Sequence, residues 1–186
     1  NFVSSEYVVG VLAEIFLRKN KGATIVHDPR VIWNTRDVVK RFGGKVLTSR
    51  TGHAFVKAAM RNSEAVYGGE VSAHHYFKEF AYCDSGMIPW LLVWELLSVE
   101  NITLADLIAK RRASFPSTGE INFKVSNPDK CLKFVKNKLF NSAQKFNEFD
   151  GLSMCFQNWR FNLRKSNTEP LVRLNIEAIA DEKLLK

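Results

Sequence analysis

Cysteine is scarce in this sequence of 186 residues, and its placement indicates no structural role. The three residues, Cys83, Cys131 and Cys155, are odd in number and show neither a CxxC pair nor the spacing of cysteine and histidine metal ligands. We therefore expect free thiols in a reducing compartment, without a disulfide framework and without a bound metal.

Long apolar stretches are absent as well. The longest, at 87–97, is interrupted by Pro89 and Glu95 and falls short of the ~20 residues that span a bilayer. The start shows no basic-then-apolar signal sequence, so we expect a cytoplasmic protein without a membrane partner. The first residue is Asn1 rather than an initiator methionine, which indicates a chain cut from a longer one or a processed terminus.

Several common signatures of catalysis and binding are also missing. There is no glycine-rich phosphate loop of the P-loop or dinucleotide type and no nucleophile elbow. Aromatic residues lie at core-like spacings rather than between basic residues, so a nucleic-acid partner is not expected. The net charge of +8 still favours an anionic partner, and charge alone does not choose among nucleic acid, a phosphorylated small molecule and a membrane surface; a basic surface kept for solubility is the alternative.

The first part of the chain alternates segments of helical and of strand character. We predict helices at 8–17, 32–42, 51–60, 87–98 and 103–112, and strands at 23–26, 45–48 and 65–67. This alternation predicts an α/β domain at 1–115 with a mixed, largely parallel sheet and flanking helices.

The pattern changes at 114–119, where proline, serine and glycine indicate a linker, and we predict a hinge near Pro116. Beyond it we predict a strand at 120–125, a helix at 127–140, strands at 152–156, 159–163 and 171–176, and the start of a helix at 181. One helix followed by a series of strands predicts a small α+β domain at 117–186 with an antiparallel sheet.

A polar motif follows the third predicted strand, at 67–76. Two glycines allow close approach of a ligand, and Glu70 and Ser72 offer groups that can accept from and donate to sugar hydroxyls. His74 and His75 could instead be metal ligands, although adjacent residues on an extended segment point to opposite sides. A polar turn with its histidines bonded to the backbone is the structural alternative.

A second motif lies at 164–170, between two predicted strands. Arg164, Ser166, Asn167 and Thr168 together supply a guanidinium group, two hydroxyls and an amide, which suit a phosphate. A hairpin loop of turn-favouring residues is the alternative.

Further basic groups lie at the ends of predicted elements. Thr51, Gly52 and His53 lead into a predicted helix, with Lys57 one turn on, and a helix N-terminus favours anions. Arg30 follows a strand, where ligand sites of α/β sheets occur. A histidine at a helix start can also be purely structural.

The motifs at 68–97 and 159–175 together resemble the sugar-binding and phosphate-binding loops of the bacterial phosphomannomutases, members of the alpha-D-phosphohexomutase family. The segments at 25–30 and 45–57 are similar as well, so the resemblance covers nearly the whole chain. Family members have four domains around one cleft, and this chain resembles the third and the fourth. The resemblance implies a TATA-binding-protein-like form for the fourth.

The resemblance implies an isomerase that moves a phosphoryl group between the 6- and 1-oxygens of mannose phosphate through a bisphosphorylated sugar, in the service of GDP-mannose biosynthesis. In the family a phosphoserine of the first domain and Mg²⁺ on an aspartate-rich loop of the second carry the chemistry. Neither loop occurs in this sequence, so we expect no catalytic residue, no magnesium ligand and no activity of the chain alone. A phosphoglucomutase, a dual-specificity enzyme, a non-catalytic sugar-phosphate-binding module and a nucleic-acid-binding module remain alternatives.

The resemblance also assigns roles by position. The sugar hydroxyls of mannose 1-phosphate, mannose 6-phosphate or the bisphosphate intermediate would be bound by Glu70, Ser72 and His74. The non-reacting phosphate would be held by Arg164, Ser166, Asn167 and Thr168, and the cleft near the reacting group would be lined by Arg30, His53 and Lys57.

Overall fold

The computed structural model describes residues 3–166 and 169–185. The chain forms two compact units, divided after Arg112. A helix that runs to Ser114 crosses this division, so the linker begins later than the unit boundary. The hinge near Pro116 stays a prediction.

The first unit follows the predicted alternation of helices and strands. Its helices are α1 (Ser5–Lys19), α2 (Trp33–Arg41), α3 (His53–Ser63), α4 (Met87–Glu100) and α5 (Leu104–Ser114). Its strands are β1 (Thr24–His27), β2 (Lys45–Thr48), β3 (Tyr67–Gly69), β4 (His75–Phe77) and β5 (Cys83–Asp84). A short 3-10 helix at Lys78–Phe80 joins the last two strands.

The five strands form one mixed sheet in the order β2-β1-β3-β4-β5. β1 pairs in parallel with β2 and β3, whereas β4 is antiparallel to β3 and β5, so four of these strands run in one direction. The prediction of an α/β domain with a mixed sheet is confirmed. β4 and β5 were not predicted, because two or three residues are too few to show alternation.

The position of β3 corrects the predicted strand at 65–67, since both glycines lie inside it. A Cβ atom on Gly68 would lie 2.5 Å from Met60 Sδ of α3, and one on Gly69 would lie 2.8 Å from Val9 of α1. Helices α3 and α1 therefore pack closely against the two faces of the sheet at these positions, and a residue with a side chain would not fit there. The buried core continues around them through Leu12, Ile25 and other apolar residues.

The second unit contains one α-helix and an antiparallel sheet. Its elements are β6 (Ser117–Lys124), α6 (Pro128–Leu139), β7 (Lys145–Asn147), β8 (Leu152–Cys155), β9 (Trp159–Lys165) and β10 (Leu171–Ala178), with 3-10 turns at Phe140–Ser142 and Glu182–Leu185. The sheet order is β6-β10-β9-β8-β7, and all its pairings are antiparallel. The prediction of an α+β domain is confirmed, although the three-residue β7 was missed.

The two faces of this second sheet differ in chemistry. Val172, Leu174 and Ile176 pack in one apolar cluster with Leu132 and Val135 of α6. The other face is polar, and a buried ion pair joins its residues Arg160 and Glu177, with 2.5 Å between Arg160 Nη1 and Glu177 Oε1. The alternation of strand residues thus separates an apolar face from a polar face whose central residues are also buried.

Among residues 3–166 and 169–185, no helix combines the length and hydrophobicity that crossing a membrane requires.

Candidate functional site

The predicted sugar-binding motif lies at one edge of the first sheet. Residues 28–30 follow β1, residues 49–52 follow β2 and residues 70–74 follow β3. Because these strands are parallel neighbours, their carboxyl ends meet at the same edge. Three loops from separate parts of the sequence thereby converge there.

Glu70 is fixed at the centre of this edge although only 1% of it is exposed. Gly52 N–H donates to its Oε1 (2.7 Å), and the Tyr76 hydroxyl donates to its Oε2 (2.6 Å). Gly52 has φ 121°, a conformation that a side chain would strain, so glycine allows this amide to face the carboxylate. Burial, together with the bond to Glu70, raises the pKa of Tyr76. The phenol therefore stays protonated and keeps its role as donor.

A tight turn presents the other two predicted sugar-binding residues. Glu70 N–H donates to His74 O (2.9 Å) and Ala73 N–H donates to Glu70 O (3.0 Å). Ala73 takes φ 65°, a left-handed conformation rare for a residue other than glycine. The turn leaves Ser72 exposed, where its Oγ accepts a hydrogen bond of 3.1 Å from Arg30 Nη2.

Arg30 is held by Asp28, a residue to which the sequence analysis gave no role. The Arg30 backbone N–H and its Nη2 donate to the two oxygens of the Asp28 carboxylate at 2.9 and 2.7 Å, and Val71 N–H donates to the same group at 2.7 Å. Burial disfavours the charge of Asp28, but the Arg30 guanidinium and these hydrogen bonds outweigh it and hold the pKa of Asp28 below its usual value. This carboxylate joins the loops after β1 and β3.

His53 and His74 lie together, although the sequence separates them by 21 positions. Their ring centroids are 4.3 Å apart in an edge-on arrangement, and His53 also meets the Tyr76 ring at 5.3 Å. His74 Nδ1 lies 2.8 Å from Asp84 Oδ2, and since a carboxylate only accepts, Nδ1–H is the donor; in the tautomer that carries its one proton there, Nε2 is an acceptor.

Asp84 is a second residue that the sequence analysis left without a role. Its Oδ1 accepts from His75 N–H at 2.8 Å, across the pairing of β4 with β5. Partial burial raises the pKa of Asp84, but the hydrogen bonds from His75 N–H and from His74 outweigh this effect, and the pKa lies below its usual value. The pairing of β4 with β5 would have indicated a role for Asp84. This pairing cannot be predicted from the sequence, because β5 has only two residues.

The adjacent His75 points the other way, as alternation along a strand predicts. Its side chain is buried, and its Nδ1 lies 2.8 Å from the Tyr67 hydroxyl. Burial lowers the pKa of His75 to about 4, so the ring is neutral at pH 7. Both histidine side chains thus bond to other side chains rather than to the backbone of a turn.

Lys57 lies one turn into α3 from His53, and its Nζ is 3.9 Å from Cys83 Sγ. Of the three residues predicted to line the cleft, Arg30 follows β1 and His53 begins α3 at this sheet edge, whereas Lys57 lies beside β5.

In the second unit the structure corrects the position of Arg164. The residue belongs to β9 rather than to the following loop, because the strand continues its ladder with β10 and pairs Arg164 with Arg173. Arg164 Nη2 donates to Glu120 Oε2 at 3.3 Å. Ser166 follows the strand and its N–H donates to Leu171 O at 3.0 Å. Asn167 and Thr168 lie outside the described residues.

Within the described residues, one group of three or more histidine, cysteine, aspartate or glutamate side chains is close enough to share a metal ion. It consists of His53, His74 and Asp84, whose ligand atoms all lie within 4.8 Å of one another. Mg²⁺, which the resemblance implies for family members, prefers oxygen ligands, so two imidazoles and one carboxylate do not fit it.

Each of the two units matches a domain model of the same protein family. Residues 4–115 match the model of "Phosphoglucomutase/phosphomannomutase, alpha/beta/alpha domain III". Residues 120–186 match the model of the C-terminal domain of the same family.

Individual proteins with names from the same family are also similar to this chain. The phosphomannomutase of Escherichia coli K12 is 54% identical over 185 residues, which cover 100% of this chain and 41% of that protein. A crystal structure of a phosphoglucomutase/phosphomannomutase family protein from Burkholderia thailandensis superposes with a TM-score of 0.80 at 30% identity, covering 100% of this chain and 39% of that one.

A structure of N-acetylphosphoglucosamine mutase from Aspergillus fumigatus, in complex with GlcNAc-6P and magnesium, shares the fold at a TM-score of 0.68 and 14% identity, covering 98% of this chain and 44% of that one. The chain thus spans about two fifths of the length of the relatives it matches. Since one family model covers more than half of its residues, the chain belongs to the phosphoglucomutase/phosphomannomutase family.

Proposed function

We propose that the chain is the substrate-binding part of a phosphomannomutase, which interconverts mannose 6-phosphate and mannose 1-phosphate through a bisphosphorylated sugar. The observation that carries this proposal is the convergence of Glu70, Ser72 and His74 with Arg30 and His53 at one sheet edge. The 54% identity to the Escherichia coli phosphomannomutase supports the choice of substrate.

The proposed sugar site is ordered before a ligand arrives. Glu70 is held through both oxygens, and each oxygen keeps a lone pair for a sugar hydroxyl. The Ser72 hydroxyl accepts from Arg30 and so has its own proton to donate, while His74 Nε2 can accept. Side chains that are already fixed lose little conformational entropy on binding, which favours affinity.

We propose one set of phosphate contacts in each of the two units. Arg30, His53 and Lys57 supply positive charge or donors beside the sugar site of the first unit. Arg164, Ser166, Asn167 and Thr168 are proposed to hold the phosphate at the non-reacting end. The net charge of +8 attracts a dianion to the molecule.

No residue of this chain is proposed as the phosphoryl donor, and we expect the chain alone to lack mutase activity. The phosphoserine and the magnesium ion implied by the family resemblance would supply that chemistry in the longer enzyme. Because the described residues do not fit magnesium, no step is assigned to the ion here. We also propose a cytoplasmic location, where mannose 1-phosphate would supply GDP-mannose biosynthesis.

Calorimetric titration of the purified chain with mannose 6-phosphate tests this proposal. Arg164→Ala should weaken binding by about 2 kcal/mol, the scale of a lost charge-assisted hydrogen bond, and Ser72→Ala by about 1 kcal/mol. Lys165→Ala is the matched control, since the neighbouring Lys165 forms an exposed ion pair with Asp129. Absence of binding to the wild-type chain, or equal affinity of all variants, would contradict the proposal.

Phosphoglucomutase or dual-specificity activity is the second candidate, because the matching family description names both enzymes. The ratio of turnover of mannose 1-phosphate to that of glucose 1-phosphate by the longer enzyme decides between them. A non-catalytic sugar-phosphate-binding module would instead show binding without turnover in the longest form of the protein.

A further inference from the structure

The cluster of His53, His74 and Asp84 has a composition that suits a transition metal. One ligand atom from each residue lies within 4.8 Å of the other two. Two imidazoles and one carboxylate are a set of three protein ligands such as zinc takes where a further position stays open. We propose that these residues form a binding site for a divalent transition metal of the zinc class, and that the ion competes with a sugar hydroxyl for His74.

The spacing of the ligands is close to what such an ion requires. Zinc binds nitrogen and carboxylate oxygen at about 2.0–2.2 Å, so ligand atoms around one tetrahedral ion lie roughly 3.3 Å apart. His74 Nδ1 and Asp84 Oδ2 are already at 2.8 Å. His53 is exposed at the first position of α3, and its ligand atom lies within 4.8 Å of the other two, so rotation of this side chain would have to close the remaining distance.

The surroundings of the cluster resemble those of an organised site. His75 N–H holds the second oxygen of Asp84, and the buried contact of His75 with Tyr67 fixes the start of β4, which His74 directly precedes. Outer contacts of this kind orient metal ligands and contribute to affinity. Two of the three ligands are therefore in place before an ion binds.

The chain offers a simple way to locate such binding. It contains four histidines, of which His27 and His75 are 2% and 5% exposed. His53 and His74 are the two that solvent reaches, and both belong to the cluster. A metal ion that is coordinated by imidazole in the folded chain must therefore be bound by this cluster.

The consequence for ligand binding rests on the proposed function. His74 is proposed to accept from a sugar hydroxyl through Nε2, but a neutral ring that binds the ion through Nδ1 carries its proton on Nε2 and can no longer accept there. The ion and mannose 6-phosphate should therefore weaken one another's binding at this edge of the sheet.

Titration of the untagged chain with Co²⁺, followed by visible absorption, and with Zn²⁺, followed by calorimetry, tests the site. We expect one ion per chain, loss of at least about tenfold in affinity in His53→Gln, His74→Gln and Asp84→Asn, and no displacement by excess Mg²⁺. Cys83→Ser is the control for coordination by the neighbouring thiol and should bind like the wild type. If Asp84→Asn disturbs the β4–β5 pairing, His53→Gln provides the decisive test, because His53 is exposed and substitutions of exposed side chains usually change stability little.

Absence of binding, retention of wild-type affinity in His53→Gln and His74→Gln, or loss of binding in Cys83→Ser would each overturn the proposal. Addition of mannose 6-phosphate, corrected by a titration of Co²⁺ without protein, separates the two proposals. Weaker Co²⁺ binding supports both. If mannose 6-phosphate leaves Co²⁺ binding unchanged while the three variants weaken it as expected, the metal site is upheld and the role of His74 in sugar binding is overturned.

Discussion

The buried carboxylate of Asp28 connects two loops of the candidate site through Arg30 and Val71. Its side chain is 1% exposed and that of Arg30 is 4% exposed. Removal of one partner from such a pair leaves the other charge without compensation in a medium of low polarity. Asp28 thus stabilises the fold and orients Arg30 toward Ser72 at the same time.

We predict that Asp28→Asn lowers the free energy of unfolding by about 3–5 kcal/mol at pH 7. The pKa of Asp28 in the folded chain lies below that of the unfolded chain, about 3.9, so its charge stabilises the fold above pH 4. This contribution is lost as the pH falls through the folded pKa. Urea unfolding across the acidic range should show the difference between variant and wild type shrinking below about pH 4, and a difference that is equal at pH 7 and at pH 3 would contradict it.

At the scale of elements, β3 depends on close contact with the helices on either side. Gly68→Ala should destabilise the chain by about 1–3 kcal/mol, because the added methyl group meets Met60 Sδ and Val56 Cγ1 at 2.5 and 3.1 Å and overpacks the core. Gly86→Ala is the matched control, since nothing lies within 4 Å of the added atom and its backbone is right-handed. Thermal unfolding of the two variants provides the measurement. Equal melting temperatures would show that the sheet accommodates the methyl group.

The helices and longer strands could be predicted from local periodicity, and β2 was placed at its observed bounds. The same reasoning put the glycines of β3 in a loop, because glycine normally weakens a strand and the packing that requires it here comes from distant parts of the chain. The residues of the candidate site divide in the same way, into those that local sequence indicates and those that only tertiary contacts reveal. Glu70, Ser72 and His74 were proposed from their residue types, whereas Asp28 and Asp84 make contacts that form only once the strands pair.

For the whole molecule, the net charge of +8 predicts that binding of a dianion depends on ionic strength. The Debye length falls from about 30 Å at 0.01 M salt to about 8 Å at 0.15 M, so the field of distant charges is progressively screened. The affinity of the chain for mannose 6-phosphate should therefore fall as salt is added. Mannose, which carries no charge, is the control ligand. A salt dependence equal for both sugars would show that the overall charge contributes nothing to capture.

The hydrogen bond from Gly52 N–H to Glu70 turns one amide into a reporter of motion at the sheet edge. An amide proton held by a buried carboxylate exchanges with solvent only when that bond opens. The exchange rate of this single proton therefore measures how often the loop after β2 separates from the loop after β3. A ligand that engages Glu70 without displacing it slows that rate, so the dynamics of the site can be followed without any chemical reaction.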